Sequence, residues 1–299
     1  MNTRLVGFIG IGTMGKPMAI NLLNAGIKLK VYDLCKEPLK ELKNHGAQLC
    51  NSIEELAKES NVIITMLPNS PESIDVIIGK NGIINYAKPD TIVIDMDSID
   101  PLVSIEIGNA LYAKKIKFLD APVSGGVPKA VDGTLAIMVG GDLETYKKVT
   151  DLFEILGNSH ILIGGIGSGN YTKLANQIIV ALNIIAVSEA FTLAQKAGLS
   201  PVKVFEAIRT GLAGSTVMEQ KLPMILSRNF KPGFKIKLHR KDIQNVINAS
   251  SKLDVVLPFT SLAFEVLKAL DLDDKGNEDH NAIIKFFENI SKVVVRNNT

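Results

Sequence analysis

Three short stretches of this 299-residue chain carry residue types able to bind or transform a small molecule. The first, GFIGIGTMGKPM, sets Gly10, Ile11, Gly12, Thr13, Met14 and Gly15 in the order G-x-G-x-x-G. It follows a strand-like run and opens a helical one, the context in which that spacing cradles a dinucleotide. Gly10 permits the tight turn, Gly12 lets a pyrophosphate approach the backbone, and Gly15 lets the helix pack closely. The helix N-terminus then offers free N–H groups to the phosphates. Asp33, 18 residues past Gly15, ends a second strand-like run. Such folds place there the acid that binds the ribose hydroxyls, so a 2′-phosphate is repelled and NAD is favoured over NADP. Lys36 close by moderates that preference and keeps NADP as the alternative.

The second stretch, DAPVSGGVPKAVDGTL, gathers Ser124, Gly125 and Gly126. Consecutive glycines expose N–H groups that can form an anion-binding concavity, and the serine hydroxyl adds a donor suited to a small carboxylate. Backbone geometry alone accounts for such a loop equally well. The third, GSGNYTKLANQ, places Lys173, Asn176 and Gln177 at i, i+3 and i+4, with Asn170 one turn earlier. They share one face of a helix that is otherwise apolar almost all round. Lys173 either snorkels to water or serves as a general acid beside amides that orient a substrate, and position alone allows both.

These residues need a scaffold. From residue 4 to 164, short β-rich runs alternate with helical patterns: 4–10, 28–33, 61–67, 91–95, 117–123, 135–141 and 160–164 read as strands. That alternation predicts an α/β domain with a parallel sheet. Ser52 and Glu55 form a capping box, and a helix is expected over 14–26. Leu67, Pro68, Asn69 and Ser98 follow strand ends, on the edge where open α/β sheets bind ligands, so they are cofactor-side candidates. After Gly169 the pattern turns helical, over 170–196, 201–210, 216–227, 240–252, 258–270 and 279–294. The expected organisation is a Rossmann-like dinucleotide-binding domain over 1–165 and an all-α domain over 166–299, joined by a long helix.

Composition narrows the function classes. Lys+Arg 33 against Asp+Glu 31 gives a net charge of +2, so no global field points to nucleic acid or a membrane surface. Arg228, Lys231, Lys235, Lys237, Arg240 and Lys241 form a local basic cluster, which reads as a solvated face or a lure for an anionic substrate. Lys241 is placed at a helix start. Cys35 and Cys50 make no disulfide framework or metal pattern, and His45, His160, His239 and His280 are scattered. The N-terminal residues show no charged-then-apolar leader, and no apolar stretch of about 18 residues is expected, which together suggest a cytoplasmic protein without a membrane span.

Taken together, GFIGIGTMGKPMAINL, DAPVSGG, GSGNYTKLANQ and LHRKDI resemble, in this order and spacing, the β-hydroxyacid dehydrogenase family over essentially the whole chain. That family includes 3-hydroxyisobutyrate dehydrogenase and the 6-phosphogluconate dehydrogenases. The resemblance implies an active site in the cleft between the two domains and a small anionic aldehyde or hydroxyacid substrate. It also implies a homodimer or homotetramer. Its catalytic lysine falls on Lys173, its substrate-binding Ser-Gly-Gly on Ser124, Gly125 and Gly126, and its lysine near the nicotinamide on Lys241. Three positions depart from the family pattern: Gln177 where many relatives carry Asn, Ile11 where Leu is usual, and Asp97 in place of a small polar residue. The competing readings are a 3-hydroxyisobutyrate dehydrogenase or broad short-chain semialdehyde reductase with the same lysine, and a dinucleotide-binding sensor or scaffold without catalysis.

Overall fold

The computed structural model describes residues 4–297. The chain divides into two compact units, one ending at Lys173 and the other beginning at Leu174.

In the first unit β1 (Leu5–Ile9) leads through the glycine turn into α1 (Gly15–Asn24), followed by β2 (Lys28–Tyr32), α2 (Lys36–Asn44), β3 (Gln48–Leu49) and α3 (Ile53–Glu59). Next come β4 (Val62–Thr65), α4 (Ser70–Ile78), β5 (Ile92–Asp95), α5 (Pro101–Ala113) and β6 (Lys117–Asp120). The unit closes with β7 (Val123–Ser124), α6 (Gly126–Asp132), β8 (Leu135–Gly140), α7 (Leu143–Lys147), α8 (Thr150–Leu156) and β9 (Gly157–Gly164). Strand order is β3-β2-β1-β4-β5-β6-β8-β7, with β9 on β8. The strands from β3 to β6 pair in parallel, and β8 runs antiparallel to β6 and β7.

Side-chain alternation puts an apolar layer on each face of this sheet. Val6, Phe8, Val62, Ile64, Ile92 and Ile94 pack into one core with α1 and α8. Ile9, Ile63 and Val93 pack into another with α3 and α5. Both faces being covered, the central strands read as continuous apolar runs, as parallel strands do. Ser52 caps α3 by accepting from Glu55 N (3.1 Å), while the Glu55 carboxylate accepts from Asn51 N (2.9 Å), one residue before the cap. The run expected as one strand over 117–123 is broken into β6 and β7. Pro122 has no N–H to give a ladder, and its carbonyl instead accepts from Met138 N (3.0 Å).

The second unit is helical: the remainder of α9 (Ser168–Lys196), then α10 (Pro201–Ile208), α11 (Thr216–Leu226), α12 (Ile236–Lys252), α13 (Pro258–Leu270) and α14 (Ile284–Ser291). Its core gathers Phe191, Phe205, Met218, Leu222, Ile225 and Ile284. Helix α12 begins at Ile236 rather than 240, because Ile236, His239, Ile243 and Val246 make one buried face that starts inside the basic run. Lys241 therefore lies in the second turn. Helix α9 spans 29 residues, roughly 43 Å at 1.5 Å per residue. It corrects the expectation that no stretch reaches bilayer length, since by length and composition alone it does. A core helix of a soluble protein meets the same test, and α9 buries Asn170, Lys173, Gln177, Ser188 and Thr192.

Candidate active site

The strand order reverses at β1 and β4, so a crevice opens outside their carboxyl ends, where the glycine turn and the loop after β4 both lie. Gly10 has φ +94°, and a Cβ there would come within 2.4 Å of the Met66 carbonyl oxygen. Only glycine lets these two loops touch. A Cβ on Gly15 would strike the Gly10 oxygen at 1.9 Å, so this glycine closes the turn on itself. Around Gly12, by contrast, a Cβ would meet nothing within 4 Å. That open approach is what a pyrophosphate needs.

Asp33 is held at the same edge. One carboxylate oxygen accepts from Ile11 N and the other from Cys35 N, both at 2.6 Å. The acid thus joins the end of β2 to the glycine turn. A cavity of about 940 Å³ adjoins it, lined by Ile11, Gly12, Thr13, Lys16, Asp33 and Cys35 among others. The residues present fit a nicotinamide dinucleotide: an open glycine, an N-terminal helix turn and a fixed acid. Of the other cofactor-side candidates, Met14 and Leu67 are half-buried beside the turn, Pro68 is exposed, Asn69 precedes α4, and Ser98 is half-buried after β5. The exposed Cys35 thiol sits at the cavity, whereas burial pushes the Cys50 thiol up to about 11.

The Ser-Gly-Gly segment ends β7 and runs directly into the short helix α6. Gly125 (φ +135°) and Gly126 (φ +69°) both adopt backbone conformations that other residues resist. A Cβ on Gly126 would meet only Pro128 Cδ, at 3.9 Å, so this stretch of backbone is open. Asn21 of α1 donates to the carbonyls of Ala130 (2.9 Å) and Val131 (3.3 Å), tying α6 to the helix that follows the glycine turn.

Lys173 is buried, and its Nζ donates to the Val123 carbonyl at 2.8 Å. The ammonium is therefore anchored one residue before Ser124. The snorkelling alternative does not describe this side chain. Two buried residues set the start of its helix. Asp120, at the end of β6, accepts from Gly167 N (2.7 Å) and Asn170 N (2.8 Å), which caps the first turn of α9. Asn170 accepts from Ile99 N (3.1 Å) and donates to Ser104 Oγ (3.0 Å). Burial raises the Asp120 carboxyl to about 6 even though both N–H bonds lower it. Burial also raises Asp95 well above the usual carboxylate range, and the neighbouring Asp97 charge adds to the effect.

In the second unit Asn176, Gln177 and Lys241 meet around Asp242, the residue that follows Lys241 in α12. Gln177 Nε2 donates to Asp242 Oδ2, and Gln177 Oε1 accepts from Asn176 Nδ2 at 2.8 Å. Lys241 Nζ pairs with Asp242 Oδ1 at 2.8 Å. Two more members of the basic cluster are ion-paired, Arg228 with Glu288 and Arg240 with Asp271. His239 and His280 form a buried pair, Nδ1 to Nδ1, at 3.1 Å. Asp242 and Gln177 lie 65 residues apart, so no local spacing could reveal the contact. Asp120 lies in the middle of the run read as one strand, 117–123, and becomes a strand-end acid only through the break at Pro122.

A doubly wound sheet with its glycine turn at the switch point, and a buried lysine beside a Ser-Gly-Gly loop, define a nicotinamide-dinucleotide oxidoreductase. The family profile for the NAD binding domain of 6-phosphogluconate dehydrogenase matches residues 5–165. That for the NAD-binding domain of NADP-dependent 3-hydroxyisobutyrate dehydrogenase matches residues 167–287. The chain is 40% identical over 283 residues to 2-hydroxy-3-oxopropionate reductase of Escherichia coli (strain K12), covering 95% of this chain and 97% of the relative. It is 34% identical to 2-(hydroxymethyl)glutarate dehydrogenase of Eubacterium barkeri, covering 97% of each. Among solved structures, Mycobacterium tuberculosis 3-hydroxyisobutyrate dehydrogenase with L-serine superposes with a TM-score of 0.86 at 31% identity, covering 95% of this chain and 98% of that one. The chain belongs to the 3-hydroxyisobutyrate dehydrogenase-like family of β-hydroxyacid dehydrogenases and is an NAD(P)-dependent oxidoreductase.

Proposed function

We propose that the chain reduces tartronate semialdehyde (2-hydroxy-3-oxopropanoate) to D-glycerate, with Lys173 as the general acid. The observation that carries this reading is the 2.8 Å bond from Lys173 Nζ to Val123 O, which holds an ammonium beside Ser124, Gly125 and Gly126. The similarity to the Escherichia coli reductase supports the choice of substrate. So do VIITMLPNSP, DGTLAIMVGGD, KLANQIIVALNI, AIRTGLAGSTV and RNFKPGFKIKLH, which resemble tartronate semialdehyde reductase closely.

Bound reduced nicotinamide supplies the hydride that reaches the aldehyde carbon. Ser124 Oγ and the backbone N–H groups of Gly125 and Gly126 receive the substrate carboxylate. Lys173 Nζ passes a proton to the carbonyl oxygen as negative charge develops there. A lysine suits this direction of reaction because its ammonium has a proton to give. Asp33 receives the ribose hydroxyls, favouring NADH over NADPH. Asn176 and Lys241 bind the substrate or nicotinamide side, with Gln177 fixed by Asp242. Exposed apolar residues of the helical unit, Leu193 and Phe259 at 72% each, suit a homodimer or homotetramer, which light scattering would weigh.

The experiment is product identification: incubation with NADH and tartronate semialdehyde should yield D-glycerate mole for mole with NADH consumed. NADH consumption without D-glycerate would defeat the assignment. The second reading, a 3-hydroxyisobutyrate dehydrogenase, rests on the similarity to the Mycobacterium tuberculosis enzyme.

A further inference from the structure

We propose that Asp97 is a positioning residue for the dinucleotide site, its carboxylate fixing the Met66–Asn69 loop against the glycine turn. Asp97 follows β5 and is completely buried. A buried carboxylate is costly unless its oxygens are hydrogen-bonded. Here both are used on the neighbouring loop. Oδ1 accepts from Leu67 N, and Oδ2 accepts from Ser73 Oγ at 2.7 Å, in the first turns of α4.

The loop that these bonds hold is the one that touches the glycine turn. Met66 N donates to Ile9 O at 2.9 Å, and the Met66 carbonyl oxygen lies 2.4 Å from where a Cβ on Gly10 would be. Leu67 Cδ2 would lie 3.1 Å from that same Cβ. Leu67 is thus held from one side by β1 and from the other by Asp97. A further tie, Asp100 N to Ser70 Oγ at 3.1 Å, closes the β5–α5 loop onto α4. Asp97 is in turn oriented by Asp95, whose Oδ1 accepts from Asp97 N at 3.1 Å. A small hydroxyl at position 97 could not serve both Leu67 N and Ser73 Oγ. The loop's position, and with it one wall of the cofactor crevice, depends on a two-armed acceptor.

The inference rests on cofactor binding by the first unit and not on the identity of the semialdehyde. It is tested by titrating full-length Asp97→Ala, Asp97→Asn and wild-type protein with NADH and NADPH, alongside kcat at saturating cofactor and thermal midpoints. Asp97→Ala should weaken binding of the preferred cofactor about tenfold or more, consistent with losing two hydrogen bonds. Its kcat at saturation should stay within about threefold. Asp97→Asn keeps an acceptor for Leu67 N, and Ser73 can turn its hydroxyl toward Asn69 O (3.1 Å). It should bind within about twofold of wild type. Wild-type affinity in Asp97→Ala, with only a lowered midpoint, would overturn the proposal, as would an Asp97→Asn variant as weak as alanine. If Asp97→Ala does not fold, Ser73→Ala leaves the charged, buried Asp97 Oδ2 without its Ser73 donor, a cost that the neutral Asp97→Asn side chain avoids, and should weaken cofactor binding about two- to fivefold. Unchanged affinity there would also overturn it.

Discussion

Lys173 and Lys241 are both held at 2.8 Å, but by acceptors of different character. Lys173 donates to a backbone carbonyl next to the Ser-Gly-Gly loop, whereas Lys241 pairs with the Asp242 carboxylate. A carbonyl orients an ammonium without cancelling its charge; a carboxylate does both. The first arrangement suits proton donation to a developing oxyanion, the second suits holding a ligand group in place. Equal residue type and equal distance thus leave the two ammonium groups in different electrostatic settings.

The contrast can be broken or sharpened by substitution. Lys173→Ala should lower kcat by about 10² or more while leaving the NADH dissociation constant unchanged, whereas Lys241→Ala should act mainly on KM. Equal losses of kcat in both would erase the distinction. Asp242→Ala removes the acceptor shared by Lys241 and Gln177, and KM for the semialdehyde should rise about tenfold, read by steady-state kinetics. Gly12→Ala meets no steric obstacle in the protein, so its thermal midpoint should hold while cofactor KM rises about tenfold. Gly10→Ala, which must displace the Met66 carbonyl and hold φ +94°, should lower the midpoint instead.

A separate effect, on stability and not on turnover, concerns Asp120, the cap of the helix that carries Lys173. Its carboxyl is raised by burial from the usual 3.8 to about 6, so the folded chain binds this proton more tightly than the unfolded chain. Stability from this group is complete below about pH 3.8 and is lost as pH rises through about 6. Asp120→Asn removes the titration. The unfolding free energy of wild type minus variant should therefore fall between pH 4 and pH 7, by up to about 3 kcal/mol, in denaturant melts at each pH. A pH-independent difference would show that Asp120 is not so shifted.

The parts of the site written in consecutive residues were legible, and the parts made by tertiary register were not. The glycine turn is six residues long; Gly10 and Gly15 have local steric reasons that the backbone shows, and the approach at Gly12 is open. The α/β alternation and the switch to helices at the start of α9 follow from apolar periodicity. Asp95 and Asp120 are neighbours only because β5 and β6 pair in register, and nothing within either strand signals that. Asp97 is visible in the sequence as an oddity, yet its two partners lie 30 and 24 residues away. Helix α6 was hidden by glycine and proline, although Pro128 in a first turn costs no intrahelical hydrogen bond.

The central claim is that this site reduces tartronate semialdehyde. The most direct measurement is kcat/KM for tartronate semialdehyde against methylmalonate semialdehyde, each with NADH and with NADPH. A site built to hydrogen-bond a substrate hydroxyl rejects the analogue lacking it by as much as about 10⁴- to 10⁵-fold, whereas an apolar pocket separates such isosteres by only about 10². The account predicts a ratio of at least about tenfold in favour of tartronate semialdehyde, with NADH the better donor. A ratio of one or below would contradict it and favour a 3-hydroxyisobutyrate dehydrogenase.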